Sequence, residues 1–266
     1  MSERFQSISR SLAATSCAIA LGAWPGAARA VDLPSDPDHA LPCRPTISCT
    51  ADIVSPGDLE VEAGFSRAHG ASAQLWTFPL LVKQSVTKWL QIQVGSNGYT
   101  DESGASSSKY FDNVNVGPKF HLAEQGTFVP SLSLSAQLSI PTFPARGYVR
   151  DFDAFFVGYA SKDIGPIHAD LNVGFDVWHF GDASRAQQYT AFALSTTLPA
   201  HFGVIAEGYF FTNALPAAPR DGGVRAALTY SARTWLVIDA GGDWGFFPFT
   251  RGYTIFAGVT VIPLVL

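Results

Sequence analysis

Short connections followed by a bulky aromatic residue recur along this chain and limit what it can fold into. Four of them end just before an aromatic side chain, namely Trp89, Phe128, Phe202 and Trp235. A fifth, at residues 162–166, is followed by Ile167. The connections between these turns are longer. Short turns alternating with longer loops, with aromatic rings at the boundary, are typical of a closed antiparallel barrel in a membrane.

The N-terminus has the pattern of a cleaved signal peptide. Arg4 and Arg10 precede an apolar, small-residue run over residues 12–24, and Ala28-Arg29-Ala30 follows it. A basic region, a short apolar core and an A-x-A site predict that residues 1–30 are removed on export. The alternative, a membrane anchor, is disfavoured because the run is short for a bilayer. We therefore expect an exported protein of a Gram-negative bacterium.

Composition favours the outer membrane over the periplasm as its destination. Of 266 residues, 47% are hydrophobic and 13% aromatic, whereas only 15% are charged. Soluble domains usually contain about a quarter charged residues. Low charge and many aromatic residues suit strands that expose alternate side chains to lipid. The formal net charge of −5 indicates no nucleic-acid partner.

Alternation with period two identifies the strands. From Ser131 to Ile140 the odd positions are polar and the even positions apolar. A helix would scatter these serines around its circumference, so a strand is predicted. Twelve such strands are predicted, an even number that places both chain ends in the periplasm. They span residues 58–67, 74–85, 89–98, 110–122, 129–140, 151–162, 166–179, 188–198, 202–212, 222–232, 235–246 and 251–262.

The predicted fold class is all-β. Residues 58–266 are expected to form a closed antiparallel transmembrane β-barrel of about 12 strands, with short periplasmic turns and longer extracellular loops. A soluble sandwich is the competing fold, but it requires no alternation of loop lengths. The predicted outer loops are residues 100–109, 142–150, 181–187, 213–221 and 247–250. A girdle at the outer strand ends is predicted from Tyr99, Tyr110, Phe111, Phe180, Tyr189, Phe210, Phe211 and Tyr253.

The same alternation assigns the charged side chains of the strands to the barrel interior. A basic residue facing lipid at the midplane would cost about 2–4 kcal/mol, and an acid less. Pairing across the lumen and contact with a solute are both open roles for these charges. Twelve strands lie between packed small barrels and open porins, so a narrow or plugged pore is expected. The predicted lumen-facing residues are Glu60, Glu62, Lys83, Lys119, His121, His168, Asp170, Asp176, Glu207, Arg225, Asp239 and Asp243.

Residues 31–57 differ from the strands that follow. They are rich in Pro and Asp, lack alternation and contain Cys43 and Cys49. In an oxidising periplasm two cysteines this close are predicted to form a disulfide. A metal or redox role is the weaker alternative, because no other ligands lie nearby in the usual spacing. The segment is either an ordered periplasmic tail or a plug folded into the lumen.

Several short motifs resemble one known family. Cys43-Arg44-Pro45-Thr46, followed by residues 54–65 (VSPGDLEVEAGF), resembles the N-terminal signature of the MetA-pathway phenol-degradation proteins. Residues 113–120 (NVNVGPKF) are similar to a later strand of that family. Residues 138–142 (LSIPT) are similar to its SLPTG motif, with Phe143 in place of the glycine. The resemblance implies an outer-membrane barrel associated with the metabolism of aromatic compounds.

Catalysis is not expected of this chain. Ser96-Asn97-Gly98 matches the end of the catalytic motif of outer-membrane phospholipases, but Val94 occupies the position of the required His. A serine without a base within reach is a weak nucleophile. No cofactor or metal motif is found in the sequence.

The functional prediction is a channel for passive passage of small, hydrophobic or aromatic solutes. The alternative is a non-conducting structural or adhesion barrel. The expected partners are outer-membrane lipid, the solute, and the barrel-insertion machinery during biogenesis. Barrels that this machinery inserts commonly end in Phe or Trp, whereas this chain ends in Leu266.

Overall fold

The strands form a single antiparallel sheet whose first and last members pair with each other. The computed structural model describes residues 39–70, 73–104, 107–142, 153–180, 183–212, 220–247 and 252–265. The strand segments are β1 (Asp58–Gly70), β2 (Ala73–Thr77), β3 (Leu80–Thr87), β4 (Leu90–Ser96), β5 (Tyr99–Gly104), β6 (Ser108–Phe111), β7 (Val114–Ala123), β8 (Ser131–Ile140), β9 (Asp153–Ile164), β10 (Ile167–Phe180), β11 (Ala183–Thr197), β12 (Phe202–Phe211), β13 (Asp221–Arg233), β14 (Leu236–Gly245) and β15 (Gly252–Val265).

Pairing of β1 with β15 closes the sheet into a barrel. The register runs from Asp58 opposite Val265 to Gly70 opposite Gly252. The sheet order is β15-β14-β13-β12-β11-β10-β9-β8-β7-β4-β3-β1-β2-β5-β6. A closed sheet leaves no pair of opposed sheets, so the predicted barrel is confirmed and the sandwich is excluded. Among the described residues, no helix has the length and apolar character needed to cross a membrane.

Three strands of the barrel are each divided by a two-residue break. Phe78-Pro79 separates β2 from β3, Asn97-Gly98 separates β4 from β5, and Asp112-Asn113 separates β6 from β7. Pro79 has no N–H to donate, and Gly98 has φ +66°, which glycine adopts readily. Hydrogen bonds from Phe78 N to Tyr99 O (3.2 Å) and from Asp112 N to Gly98 O (2.9 Å) show that the breaks lie side by side. When β2 with β3, β4 with β5, and β6 with β7 are each counted as one strand, the barrel has twelve strands.

Two of the predicted outer loops are wrong in extent. Residues 100–109 are mostly a hairpin, because β5 and β6 pair from Tyr99–Phe111 to Glu102–Ser108. An ion pair between Lys109 Nζ and Asp101 Oδ2 (3.0 Å) crosses this hairpin. Residues 100–104 and 107–109 lack the alternation of apolar and polar side chains, so the sequence pattern does not predict these strands. Similarly, β11 begins at Ala183, inside the predicted loop 181–187. The predicted loops 142–150, 213–221 and 247–250 lie largely outside the described residues.

The two faces of the barrel wall differ as the alternation predicted. On β8, Ser131, Ser133 and Ser135 are at most 3% exposed, whereas Leu134 is 46% and Leu138 is 53% exposed. The exposed leucines mark the outer side of the barrel wall. This register places polar side chains inside and apolar side chains outside.

The predicted outer girdle is partly wrong, because three of its aromatic residues face the interior. Directly paired residues of a sheet point to the same side. Tyr110 is paired with the buried Thr100. Tyr189 alternates with buried inward residues of β11 and covers Gly174, its partner on β10. Phe211 is paired with Tyr189 and stacks on its ring, with centroids 5.4 Å apart. The side chain of Phe180 lies outside the described part of the structure.

Candidate functional site: the barrel lumen

Residues 39–57, termed here the inner segment, lie within the barrel and precede β1. In the described part of the chain, hydrogen bonds join the segment to eleven of the twelve strands. The remaining strand, β11, presents the small side chains of Ala191 (0% exposed) and Ala193 (3%). The wall residues that take part are Glu60, Glu62, Lys83, Gln91, Lys119, His121, Ser131, Ser133, Ser161, Asn172, Glu207, Arg225, Asp239 and the carbonyl of Ala257.

The backbone of the inner segment uses wall side chains as its hydrogen-bond partners. Glu207 accepts bonds from Ile47 N (2.9 Å) and Ser48 N (2.7 Å). Cys49 and Asn172 exchange two bonds of 2.8 Å, from Cys49 N to Asn172 Oδ1 and from Asn172 Nδ2 to Cys49 O. Buried backbone groups need partners, and here the barrel supplies them in place of a strand neighbour. An irregular segment is thereby held in a defined position.

Lys83 lies at the centre of a buried ionic cluster between the wall and the inner segment. Its Nζ forms ion pairs with Glu60 and with Glu62 Oε1 (2.7 Å), and it donates to Leu41 O (2.6 Å). Both carboxylates are fully buried. Each also accepts from the inner segment: Glu60 from Leu41 N (2.6 Å) and Glu62 from Cys43 N (2.9 Å). The cluster brings together three of the predicted lumen-facing residues.

Arg44 of the inner segment occupies a notch between two glycines of the wall. Gly64 and Gly258 are partners across the β1–β15 closure. A Cβ atom at either position would overlap the Arg44 guanidinium. The guanidinium donates to Asp239 Oδ1 (3.2 Å) and to Ala257 O (3.0 Å). Absence of side chains at the two glycines therefore lets this cation reach the wall itself.

A second ionic group lies on β12, β13 and β14. Arg225 Nε is 3.9 Å from Glu207 Oε2 and 3.5 Å from Asp243 Oδ2. Arg225 Nη1 donates to Pro45 O of the inner segment (2.8 Å). Tyr209 donates to Asp243 Oδ1 (3.0 Å). These contacts bring Glu207, Arg225 and Asp243 together, as the cross-strand register also requires.

Lys119, His121, His168 and Asp170 lie toward the end of the barrel with the short turns. Lys119 Nζ donates to Thr50 O (2.5 Å) and lies over the Tyr159 ring. His168 contacts Asp163 Oδ1 (2.7 Å) and Asp170 Oδ1 (3.1 Å). Asp176 lies apart from these groups on the same strand as His168, half-buried, and its Oδ1 makes no hydrogen bond to the residues described.

A disulfide joins Cys43 to Cys49 within the inner segment. The loop that it closes contains Arg44 and the backbone groups of Ile47 and Ser48 that bind Glu207. Thr46 Oγ1 donates within the loop to Cys43 O (2.8 Å). Covalent closure and these bonds make residues 43–49 a compact unit that presents several groups to the wall.

A cavity of about 310 Å³ lies beside this loop. Arg44, Glu62 and Arg225 supply charged groups to its lining, and Pro79, Leu81 and Phe256 supply apolar surface. Ser66, Thr77, Asn97 and Thr254 also line it and lie nearer the β1–β2 hairpin, the end opposite the short turns. The cavity therefore opens on the outer side of the inner segment.

An aromatic cluster lines the lumen on β11 and β12. Tyr189, Tyr209 and Phe211 all face inward on β11 and β12. Phe211 lies 5.4 Å from Tyr189 and 5.9 Å from Tyr209 between ring centroids. The Tyr189 and Phe211 rings are stacked, with 27° between their planes, whereas Tyr209 and Phe211 meet edge to face at 69°, and both arrangements are attractive.

Sequence reasoning did not identify the neutral wall residues that hold the inner segment. Ser161, Asn172 and Gln91 contribute backbone contacts just as the charged residues do. Their inward position follows from the alternation, but nothing in the sequence separates them from the other polar residues of the lumen. Arg44 was also missed as a site residue, although its Arg-Pro motif was noted.

Comparison with known proteins identifies the fold but no family. No family model matches the chain, and no curated protein matches its sequence. The NanC porin is similar over 77% of this chain and 100% of its own, with 9% identity and a TM-score of 0.52. The transport unit of the autotransporter AIDA-I from Escherichia coli covers 77% of this chain and 89% of its own, with 10% identity and a TM-score of 0.47. The likeness to NanC shows that this chain has the fold of an outer-membrane β-barrel.

Proposed function

We propose that this protein is an outer-membrane channel for small hydrophobic or aromatic solutes and that the inner segment is its plug. In this proposal, residues 1–30 are a signal peptide removed on export. The observation that carries the proposal is the chemistry of the plug's contacts. The wall holds residues 39–57 mainly through polar and ionic side chains. A lumen that needed only filling would require no such ionic groups, since replacing buried ion pairs with apolar side chains of similar volume is often neutral or stabilising.

Polar contacts of this kind suit a plug that leaves its place. Each hydrogen bond between the plug and the wall can be exchanged for one with water once the lumen hydrates, so net stabilisation per bond is only about 0.5–1.5 kcal/mol. An apolar plug would instead expose its whole surface to water on leaving. The short disulfide-closed loop moves as a unit, because Cys43 and Cys49 limit its internal freedom.

The solute class is proposed from the outer half of the lumen. The aromatic cluster of Tyr189, Tyr209 and Phe211 offers stacking surfaces to a planar ring. The cavity above the plug combines apolar walls with the guanidinium groups of Arg44 and Arg225. Binding sites for small molecules commonly combine apolar walls with a few polar groups. The resemblance to the MetA-pathway phenol-degradation proteins supports the same class of solute.

A second candidate is a non-conducting structural or adhesion barrel. The observation that favours it is the extent of the contact between residues 39–57 and the wall. Hydrogen bonds join the described part of this segment to eleven of the twelve strands. The two candidates differ in one measurable property, which is solute flux through a bilayer that contains the protein.

Flux of an aromatic anion tests the proposal. One set of proteoliposomes is loaded with 4-hydroxybenzoate and another with glucose. We expect 4-hydroxybenzoate to be released faster than glucose. Phe211→Ala is expected to slow this release roughly two- to tenfold, the effect of one aromatic contact worth about 0.5–1.5 kcal/mol. Phe210→Ala is the matched control, because Phe210 faces outward and is 39% exposed. Release no faster than from protein-free liposomes would contradict the channel and favour the structural barrel.

A further inference from the structure

A bulge at the end of β7 brings three potential metal ligands together where the plug meets the wall. The register of β7 against β8 shifts between His121 and Ala123, which makes Leu122 an extra residue. In a regular strand residues 121 and 124 would face opposite sides, and the extra residue reverses this. Glu124 Oε1 consequently lies 3.2 Å from His121 Nε2. Ligand atoms of Asp52, His121 and Glu124 all lie within 4.8 Å of one another.

The surroundings of His121 direct its Nε2 toward this group. The side chain is 8% exposed, and its Nδ1 lies 3.4 Å from Ala51 O and 3.3 Å from Ser133 Oγ. Ser133 Oγ donates its own proton to Ala51 O, so both neighbours of Nδ1 act as acceptors. In a neutral ring Nδ1 therefore carries the proton, and the lone pair is on Nε2. This Nε2 is buried, and among the described residues its polar neighbour is Glu124 Oε1 at 3.2 Å, a contact that lacks hydrogen-bond geometry.

We propose that Asp52, His121 and Glu124 bind a divalent transition-metal ion of the Zn²⁺ type. Imidazole nitrogen and carboxylate oxygen are both ligands of Zn²⁺ in proteins, and three such ligands leave a position for water. Asp52 belongs to the plug, whereas His121 and Glu124 belong to the wall and its following turn. The ion therefore ties the plug to the rim of the barrel. The binding site stands by itself, and only its effect on the plug rests on the proposed function.

Neighbouring groups hold Asp52 in position. Ser131 Oγ donates to Asp52 Oδ1 (2.5 Å), and such outer contacts orient a carboxylate ligand. Lys119 Nζ donates to the backbone carbonyls of Thr50 and Asp52, at 2.5 and 3.0 Å, and not to the Asp52 carboxylate. These backbone contacts anchor the Lys119 cation beside the inner segment.

A second histidine nearby provides the contrast. His168 has one ring nitrogen against Asp163 (2.7 Å) and the other against Asp170 (3.1 Å). Both of its nitrogens are engaged by carboxylates, and Asp170 is held further by Ser161 Oγ (2.5 Å). His168 is therefore an internal ion-pair residue and makes a suitable control for His121.

Titration with Zn²⁺ tests the site. The full protein, purified in detergent without a histidine tag and stripped with chelator, is expected to bind one Zn²⁺ per chain in calorimetry. His121→Ala and Glu124→Gln are expected to weaken binding by at least about tenfold, because even changes outside the ligand shell have that effect. Glu124 is 85% exposed, so E124Q removes a ligand without disturbing the interior. His168→Ala is expected to bind as the wild type does.

Three outcomes would overturn the inference. Lack of stoichiometric Zn²⁺ binding by the wild type, or equally tight binding by His121→Ala, would remove the site. Unchanged binding by Asp52→Asn would remove the link to the plug. Because the readout is metal binding and not flux, the site can fail while the channel proposal stands, and the reverse also holds.

Discussion

Deletion of residues 40–53 is expected to convert the protein from a closed barrel into an open channel. These residues carry most of the bonds between the plug and the wall, whereas the β1–β15 ladder that closes the barrel begins at Asp58. Water can fill the vacated lumen, because the freed side chains are polar and charged. In planar bilayers we expect steady open-channel current from the deletion variant and only rare, brief openings from the wild type.

The deletion variant must first show the heat-modifiable migration of a folded barrel. Replacement of Cys43 and Cys49 with Ser is the milder companion variant, expected to raise the frequency of brief openings. Its effect should be smaller because the disulfide closes a short loop, and the entropic effect of a disulfide decreases as the loop shortens. Equal current from the deletion variant and the wild type would show that residues 40–53 do not block the pore.

Replacement of Lys83 with Met is expected to destabilise the protein strongly. Lys83 is the cation that pairs with both Glu60 and Glu62, and both carboxylates are fully buried. Removal of one partner from a buried ion pair leaves uncompensated charge and typically costs about 3–5 kcal/mol. The measurement is the free energy of unfolding in urea, followed by the fluorescence of the tryptophans.

Lys109→Met is the matched control for this prediction. Lys109 also pairs with a carboxylate, Asp101, but its side chain is 62% exposed. Exposed ion pairs contribute little to the free energy of unfolding, because water screens the charges and both side chains lose conformational freedom on pairing. Similar unfolding curves for the two variants would mean that the Lys83 cluster is solvated and does not hold the plug to the wall.

The barrel itself was predictable from the sequence because its wall has a strict period. Serines at alternate positions of β8 face the lumen, and leucines between them face outward, as the pattern required. The same rule corrects the aromatic girdle. Neighbouring residues of a strand point to opposite faces, so Phe210 and Phe211 cannot both face lipid. Whether an aromatic side chain faces lipid or lumen depends on its odd or even place along the strand, and not on its being near the strand end.

The path of the inner segment was not predictable, for a physical reason. Residues 39–57 contain no repeat, and their bonds are made largely by backbone groups, which every residue possesses. Their partners, such as Ser161 and Asn172, look like any other polar residue of a lumen. Sequence could show that the segment differs from the strands, but the choice between tail and plug depends on matches between distant groups. The notch formed by Gly64 and Gly258 is an example, since neither glycine alone indicates Arg44 as its neighbour.

The position of the plug can be tested directly by cross-linking it to the wall. Thr50 Oγ1 of the plug lies 3.3 Å from Ser161 Oγ of β9. In a background with Cys43 and Cys49 changed to Ser, Thr50→Cys with Ser161→Cys is expected to form a disulfide in intact cells, detected by mass spectrometry. The pair Thr50→Cys with Ser107→Cys should not form one, because Ser107 lies in the outer hairpin connection. Failure of the first pair to cross-link, with free reaction of the thiol introduced at position 50 with a maleimide in the periplasm, would contradict a plug within the lumen.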